Sequence, residues 1–154
     1  MTLTALLLTT LLAAAPTDSE ISEIASAAKE SAEGYADCAG FWDYMASTEV
    51  AAGRPKTGEQ LRNLGNGAQT TALWLYANAH TLTGGKPVRY GTWLPLVSPR
   101  REAAMLRASA AGERSEQSWI KEEGERCLAL IDGQKNAIDS MRADSVQQAI
   151  DEQN

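Results

Sequence analysis

Few side chains in this sequence are suited to chemistry. There is one histidine, His80, and there are two cysteines, Cys38 and Cys127. A histidine metal site needs partners at helical spacing, as in H-E-x-x-H. The positions four residues either side of His80 hold Tyr76 and Gly84, and Ala77 stands where a Glu-x-x-His site needs its carboxylate. Covalent haem requires C-x-x-C-H, which is absent, and a non-covalent His80 and Met45 pair satisfies no spacing rule. No G-x-S-x-G elbow exists to present a nucleophile to a base. Gly65-Asn66-Gly67 is a lone G-x-G with no Lys-Ser/Thr after it, so it is no phosphate loop. The expectation is therefore no catalytic residue, no metal and no cofactor.

The nearest approach to an enzyme pattern is a pair of acids among aromatics. Asp37 and Asp43 stand near Tyr35, Trp42 and Tyr44, and two carboxylates beside aromatics can form a sugar-cleaving cleft. Helical spacing instead puts Tyr35 and Trp42 on an apolar stripe and turns the acids to solvent. A carboxylate-based enzyme stays a second alternative, and the reading is not an enzyme. The run Glu113, Glu116, Glu122, Glu123 and Glu125, mixed with Arg114, Lys121 and Arg126, reads as a solvated helical face.

The cysteines fit a structural role. In an oxidising compartment an isolated even pair implies a bridge. Joining Cys38 to Cys127 closes a loop of about 90 residues and stabilises by roughly 4–5 kcal/mol in the chain-entropy model. The N-terminus points to such a compartment. Leu3, Leu6, Leu7, Leu8, Leu11 and Leu12 make an apolar run with no charge before Asp18, followed by Ala13, Ala14 and Ala15. That run is short for a membrane span and suits a signal-peptide core. It lacks a Lys or Arg before it, and Pro16 hinders cleavage after Ala15. Residues 1–15 are therefore read as a signal peptide or an N-terminal apolar tether. The protein is placed in the periplasm or outside the cell, or tethered to the inner membrane if the segment stays.

The elements that must position these residues are helices. The chain has 154 residues, 44% apolar and 22% charged, which suits one globular domain. Ala, Leu, Glu and Gln are common and β-branched residues sparse, favouring helix over sheet. Thr17 and Glu20 form a capping box that opens a first helix near Asp18. Ile21, Ile24, Ala28, Ala32, Tyr35, Cys38, Trp42 and Met45 carry its stripe, and Gly53 and Pro55 stop it. Thr57 and Gln60 predict a second box and a second helix, with its stripe on Leu61, Leu64, Ala68, Ala72, Leu75, Ala79 and Leu82. A third helical region opens at Ser98-Pro99 and runs to Met141 through Leu106, Ala110, Ile120, Cys127, Ile131 and Ile138, continuous or broken near Gly112. The fold class is all-α: an antiparallel bundle of three long helices, or four if the third breaks, with one disulfide between the first and third helical regions. The domain covers 16–144, and 145–154 is a polar tail that frays.

Between the second and third helices lies a loop of about a dozen residues, a length often given to function. It combines Lys86, Arg89, Tyr90 and Trp93, with Arg100 and Arg101 just beyond. Aromatic and basic types together are enriched at binding hot spots. These six residues are the candidate partner-binding set. The competing reading is that Trp93, Leu94 and Leu96 fold back to cap the bundle. The net charge is −6 with no dense basic patch, which argues against nucleic acid. The partner is expected to be another envelope or secreted protein, with a membrane involved only if the apolar segment is retained. The function expected is that of an exported inhibitor, immunity-type or adaptor protein acting by protein–protein interaction. The alternative is an acid-responsive periplasmic chaperone, since protonating the 20 Asp and Glu would loosen packing.

Overall fold

The computed structural model describes residues 15–152. The apolar run at the N-terminus therefore lies outside the described residues, apart from Ala15. The described residues form five α-helices and one 3-10 turn, with no strand: α1 (Asp18–Ala51), α2 (Pro55–Leu82), the turn (Tyr90–Trp93), α3 (Leu94–Glu113), α4 (Gln117–Ala129) and α5 (Ile131–Asp151). The fold is all-α, with a Cys38–Cys127 disulfide.

The helix ends follow from a few residues. The Thr17 N–H donates to the Glu20 carboxylate at 2.7 Å, and the Glu20 N–H donates to the Thr17 hydroxyl, closing the expected box at the start of α1. At the other end Gly53 takes φ 78° while the Arg54 N–H reaches back to the Glu49 carbonyl at 2.9 Å. This left-handed closure is the Schellman motif. It delivers the chain straight into α2, which starts at Pro55 and not at Thr57. The expected Thr57–Gln60 box does not form, because a proline at the first helical position makes the earlier start favourable.

The third region departs furthest from expectation. It opens at Leu94, with Pro95 in its first turn, and Ser98 is no cap. Pro99 lies inside α3. The helix then stops at Glu113, one residue past Gly112, which is the break the sequence allowed near that glycine. Ser115 adopts φ 58°, the Glu116 N–H bonds the Ala111 carbonyl at 2.9 Å, and the chain reverses. A second junction at Leu130 separates α4 from α5. The contacts of α4 with α1 run in descending order. Gly124 lies beside Phe41, Cys127 bonds Cys38, and Leu130 accepts a hydrogen bond from Tyr35. The segment carrying Cys127 thus runs opposite to α1, whereas an unbroken third helix would run with it. The polar tail is also helical as far as Asp151.

The helices meet on small residues. Ala32, Ala36, Ala39 and Ala46 of α1 and Ala68, Ala72 and Ala79 of α2 are buried. A Cβ on Gly65 would stand 3.0 Å from the Ala39 carbonyl oxygen, so the α1 and α2 backbones nearly touch. At Gly40 the approach is tighter, and any Cβ would strike the Arg101 carbonyl and the Met105 nitrogen of α3. This spacing decides which apolar residues are inside. Ile24, Leu82 and Leu106 were expected on the core stripes but are exposed, at 53%, 46% and 58%. Ala25, Ala104, Ala108 and Ala111 are buried instead. Larger side chains gather in two patches: Tyr35, Tyr76 and Val97 in one, and Phe41 and Trp42 around the disulfide in the other.

Two outcomes test this packing. Replacing Gly40 with Ala should destabilise by about 3 kcal/mol, because backbone cannot move aside. Gly34→Ala, whose added methyl would meet nothing closer than Arg126 Nη1 at 3.7 Å, should stabilise by up to about 1 kcal/mol; urea denaturation of both variants reads the contrast. Burial also raises the Tyr35 phenol above its ordinary value of 10.0. The folded state then holds that proton more tightly than the unfolded chain. This contribution is whole below pH 10 and is lost as pH rises through the folded value. Stability measured against pH should fall on the alkaline side, less steeply in Tyr35→Phe.

Candidate functional site

The candidate set divides in two when placed on the fold. Arg100 and Arg101 sit on the first turns of α3 and point back at α1. Arg100 donates to both Asp37 oxygens at 3.0 Å and pairs with Glu33 at 2.9 Å. Arg101 clasps Asp43 through two bonds of 2.6 and 2.7 Å and also reaches Asn66 and Gln69 of α2. Both arginines are engaged within the bundle. The acids are not turned to solvent as the helical spacing suggested, since Asp37 and Asp43 face α3 and are only 16% and 21% exposed. Arg107 adds a second cation to Asp37 at 3.2 Å. Such forked pairs hold direction as well as charge. Here they fix the rotation of α3 on α1.

Trp93 also turns inward. Its ring stacks on Tyr76 at 6.0 Å and meets His80 at 5.4 Å. The expectation that Trp93 folds back is met, while Leu94 and Leu96 stay exposed. His80 is enclosed on its other side by Gly85, where any Cβ would strike the imidazole. The route over His80 is set by the end of α2. Gly84 takes φ 85°, and the Gly85 N–H bonds the His80 carbonyl at 2.9 Å, another Schellman closure. His80 thus packs between the strap and Trp93. Among the described residues no group of three His, Cys, Asp or Glu side chains is placed to hold a metal ion.

What remains at the surface is the strap 86–90. Lys86 and Arg89 are exposed and make no ion pair among the described residues. Val88 and Tyr90 beside them are 40% and 42% exposed. Under this strap lies a groove of about 510 Å³, with Ala77, Asn78 and Thr81 of α2 on one side and Met141, Asp144 and Ser145 of α5 on the other. An apolar hollow of about 590 Å³ adjoins it along α5, sharing Met141 and Ser145 and lined also by Ile138 and Val146. The α5 wall was missed by sequence reasoning, which assigned Ile138 and Met141 to the core and the residues from Ser145 to a fraying tail. The helical spacing of Ile138, Met141 and Ser145 was the available signal.

No helix among the described residues is long and apolar enough to cross a membrane. Trp93 Nε1 is buried and has no hydrogen-bond partner among the described residues. A buried unpaired donor costs about 1–3 kcal/mol. Trp93→Phe should therefore leave stability unchanged or raise it, while Trp93→Ala should lower it by about 3 kcal/mol. Thermal unfolding of the two variants measures the difference. No protein-family model, curated protein or solved structure matches this chain.

Proposed function

We propose that this protein is an exported interaction protein of the inhibitor, immunity or adaptor kind, which seats part of a partner protein in the groove under the strap 86–90. The observation that carries the reading is the composition of that rim. Val88 and Tyr90 stand exposed beside Lys86 and Arg89, which make no ion pair among the described residues. Apolar anchors ringed by polar groups are what protein interfaces use for most of their affinity. The Cys38–Cys127 bridge supports an oxidising compartment, the periplasm or the exterior.

Affinity capture from a native envelope extract tests this, with the oxidised full chain as bait at neutral pH. The expected result is one dominant stoichiometric partner, lost when Val88→Ser and Tyr90→Ala are combined. Retention by the double variant would move the interface elsewhere.

A second reading, an acid-responsive chaperone, draws on the clasps of Arg100 with Asp37 and Arg101 with Asp43. On that reading, loss of the clasps in acid would release α3 from α1 and open the core. That reading expects apolar-dye binding and suppressed client aggregation at pH 3. A fold that stays intact and dye-silent there removes it.

A further inference from the structure

Resting on the groove reading, we infer that the partner segment is dipolar and amphipathic: an apolar side chain seated on Val88 and Tyr90, a carboxylate held by Arg89 and Lys86, and a neutral or basic residue set against Asp144. The argument begins with how the chain spends its arginines. It has nine, and seven of them make ion pairs within the described residues: Arg54, Arg100, Arg101, Arg107, Arg114, Arg126 and Arg142. The two left over are Arg62 and Arg89, and Arg89 lines the groove under the strap. Its planar fork is built to take a carboxylate through two parallel bonds. Lys86 stands three residues earlier on the same strap with no ion pair among the described residues, so two cations flank the exposed Val88.

The opposite wall carries the other sign. Asp144 of α5 lines the groove yet forms no ion pair with Arg89. A bound carboxylate is drawn to the strap and repelled from α5, which fixes the direction in which a segment lies. The net charge of −6 works against a uniformly acidic partner and against a second copy of this chain, so the match is local. The groove of about 510 Å³, walled by α2 and α5, suits a protein segment better than the plane of a lipid surface.

The probe is a phage-displayed library of random peptides, selected on the oxidised full-length protein, with backbone amide shifts locating the bound peptides. Enriched peptides should pair an aliphatic or aromatic residue with Asp or Glu and shift the Val88, Tyr90 and Met141 amides. Replacing the peptide acid by its amide should weaken binding by roughly tenfold or more. Arg89→Glu should abolish binding, and an Arg in place of the peptide acid should restore it, a rescue that a misfolded variant cannot give. Peptides that shift the same amides without any acid would overturn this inference and leave the groove reading standing. Peptides mapping elsewhere, or no enrichment, would overturn both. Flotation with phosphatidylglycerol vesicles that is lost in Arg89→Glu, without peptide enrichment, would assign the cations to lipid and also overturn it.

Discussion

The contact between α1 and α3 at Gly40 sets the geometry of much of this molecule. With no Cβ at that point, the α3 backbone at Arg101 and Met105 comes directly against α1. Asp37 and Asp43 lie three residues before and after Gly40 on the same helix. The short distance brings Arg100 and Arg101 within reach of both. The two ionic clasps therefore straddle the contact and prevent α3 from rotating about it. Because the α1–α2 seam is narrow as well, the core is built largely from alanine. A few aromatic rings fill the places where the helices diverge. Close packing of small residues compensates for their small apolar area through dense dispersion contacts.

The same rigidity explains why the strap lies where it does. α3 is held by its arginines, and α2 ends in a left-handed glycine that turns the chain over His80. The linker between them has little freedom. Trp93 fills the space it must cross, stacking on Tyr76, and the residues just before it are held at the surface. The strap is therefore a connection under geometric constraint, and its exposed side chains are presented in a defined direction. Preorganisation of this kind lowers the ordering cost that any partner must meet.

How much of this was legible in the sequence depends on the distance over which each signal acts. The Thr17–Glu20 box, the glycine stop after α1 and the pairing of Cys38 with Cys127 are local or compositional signals, and each was readable. The stripes failed where packing distance overrode hydrophobicity. Ile24 and Leu106 have the right spacing for a core, but an alanine-width seam has no room for them. The break itself was marked by Gly112, one residue before α3 ends, but the positive φ at Ser115 that reverses the chain was not, because a serine gives no warning of it. That single turn reverses the chain, and the α5 wall of the groove follows from it. The candidate site was thus half legible. The strap showed in its residue types, but its opposite wall depended on the reversal after α3, and the internal engagement of Arg100, Arg101 and Trp93 depended on contacts with α1 and α2 that no short-range pattern encodes.

The disulfide has a further consequence through its position in the topology. Cys127 lies on the segment that returns after the reversal, 89 residues from Cys38, and both sulfurs are buried. Bringing such distant residues together is entropically slow unless intervening structure has already shortened the path. The α1–α3 contact and the turn at Ser115 provide that shortening. Once formed, the bond ties the segment that returns after the reversal to the middle of α1, so opening of α4 cannot carry Cys127 away from Cys38 while the bond is intact.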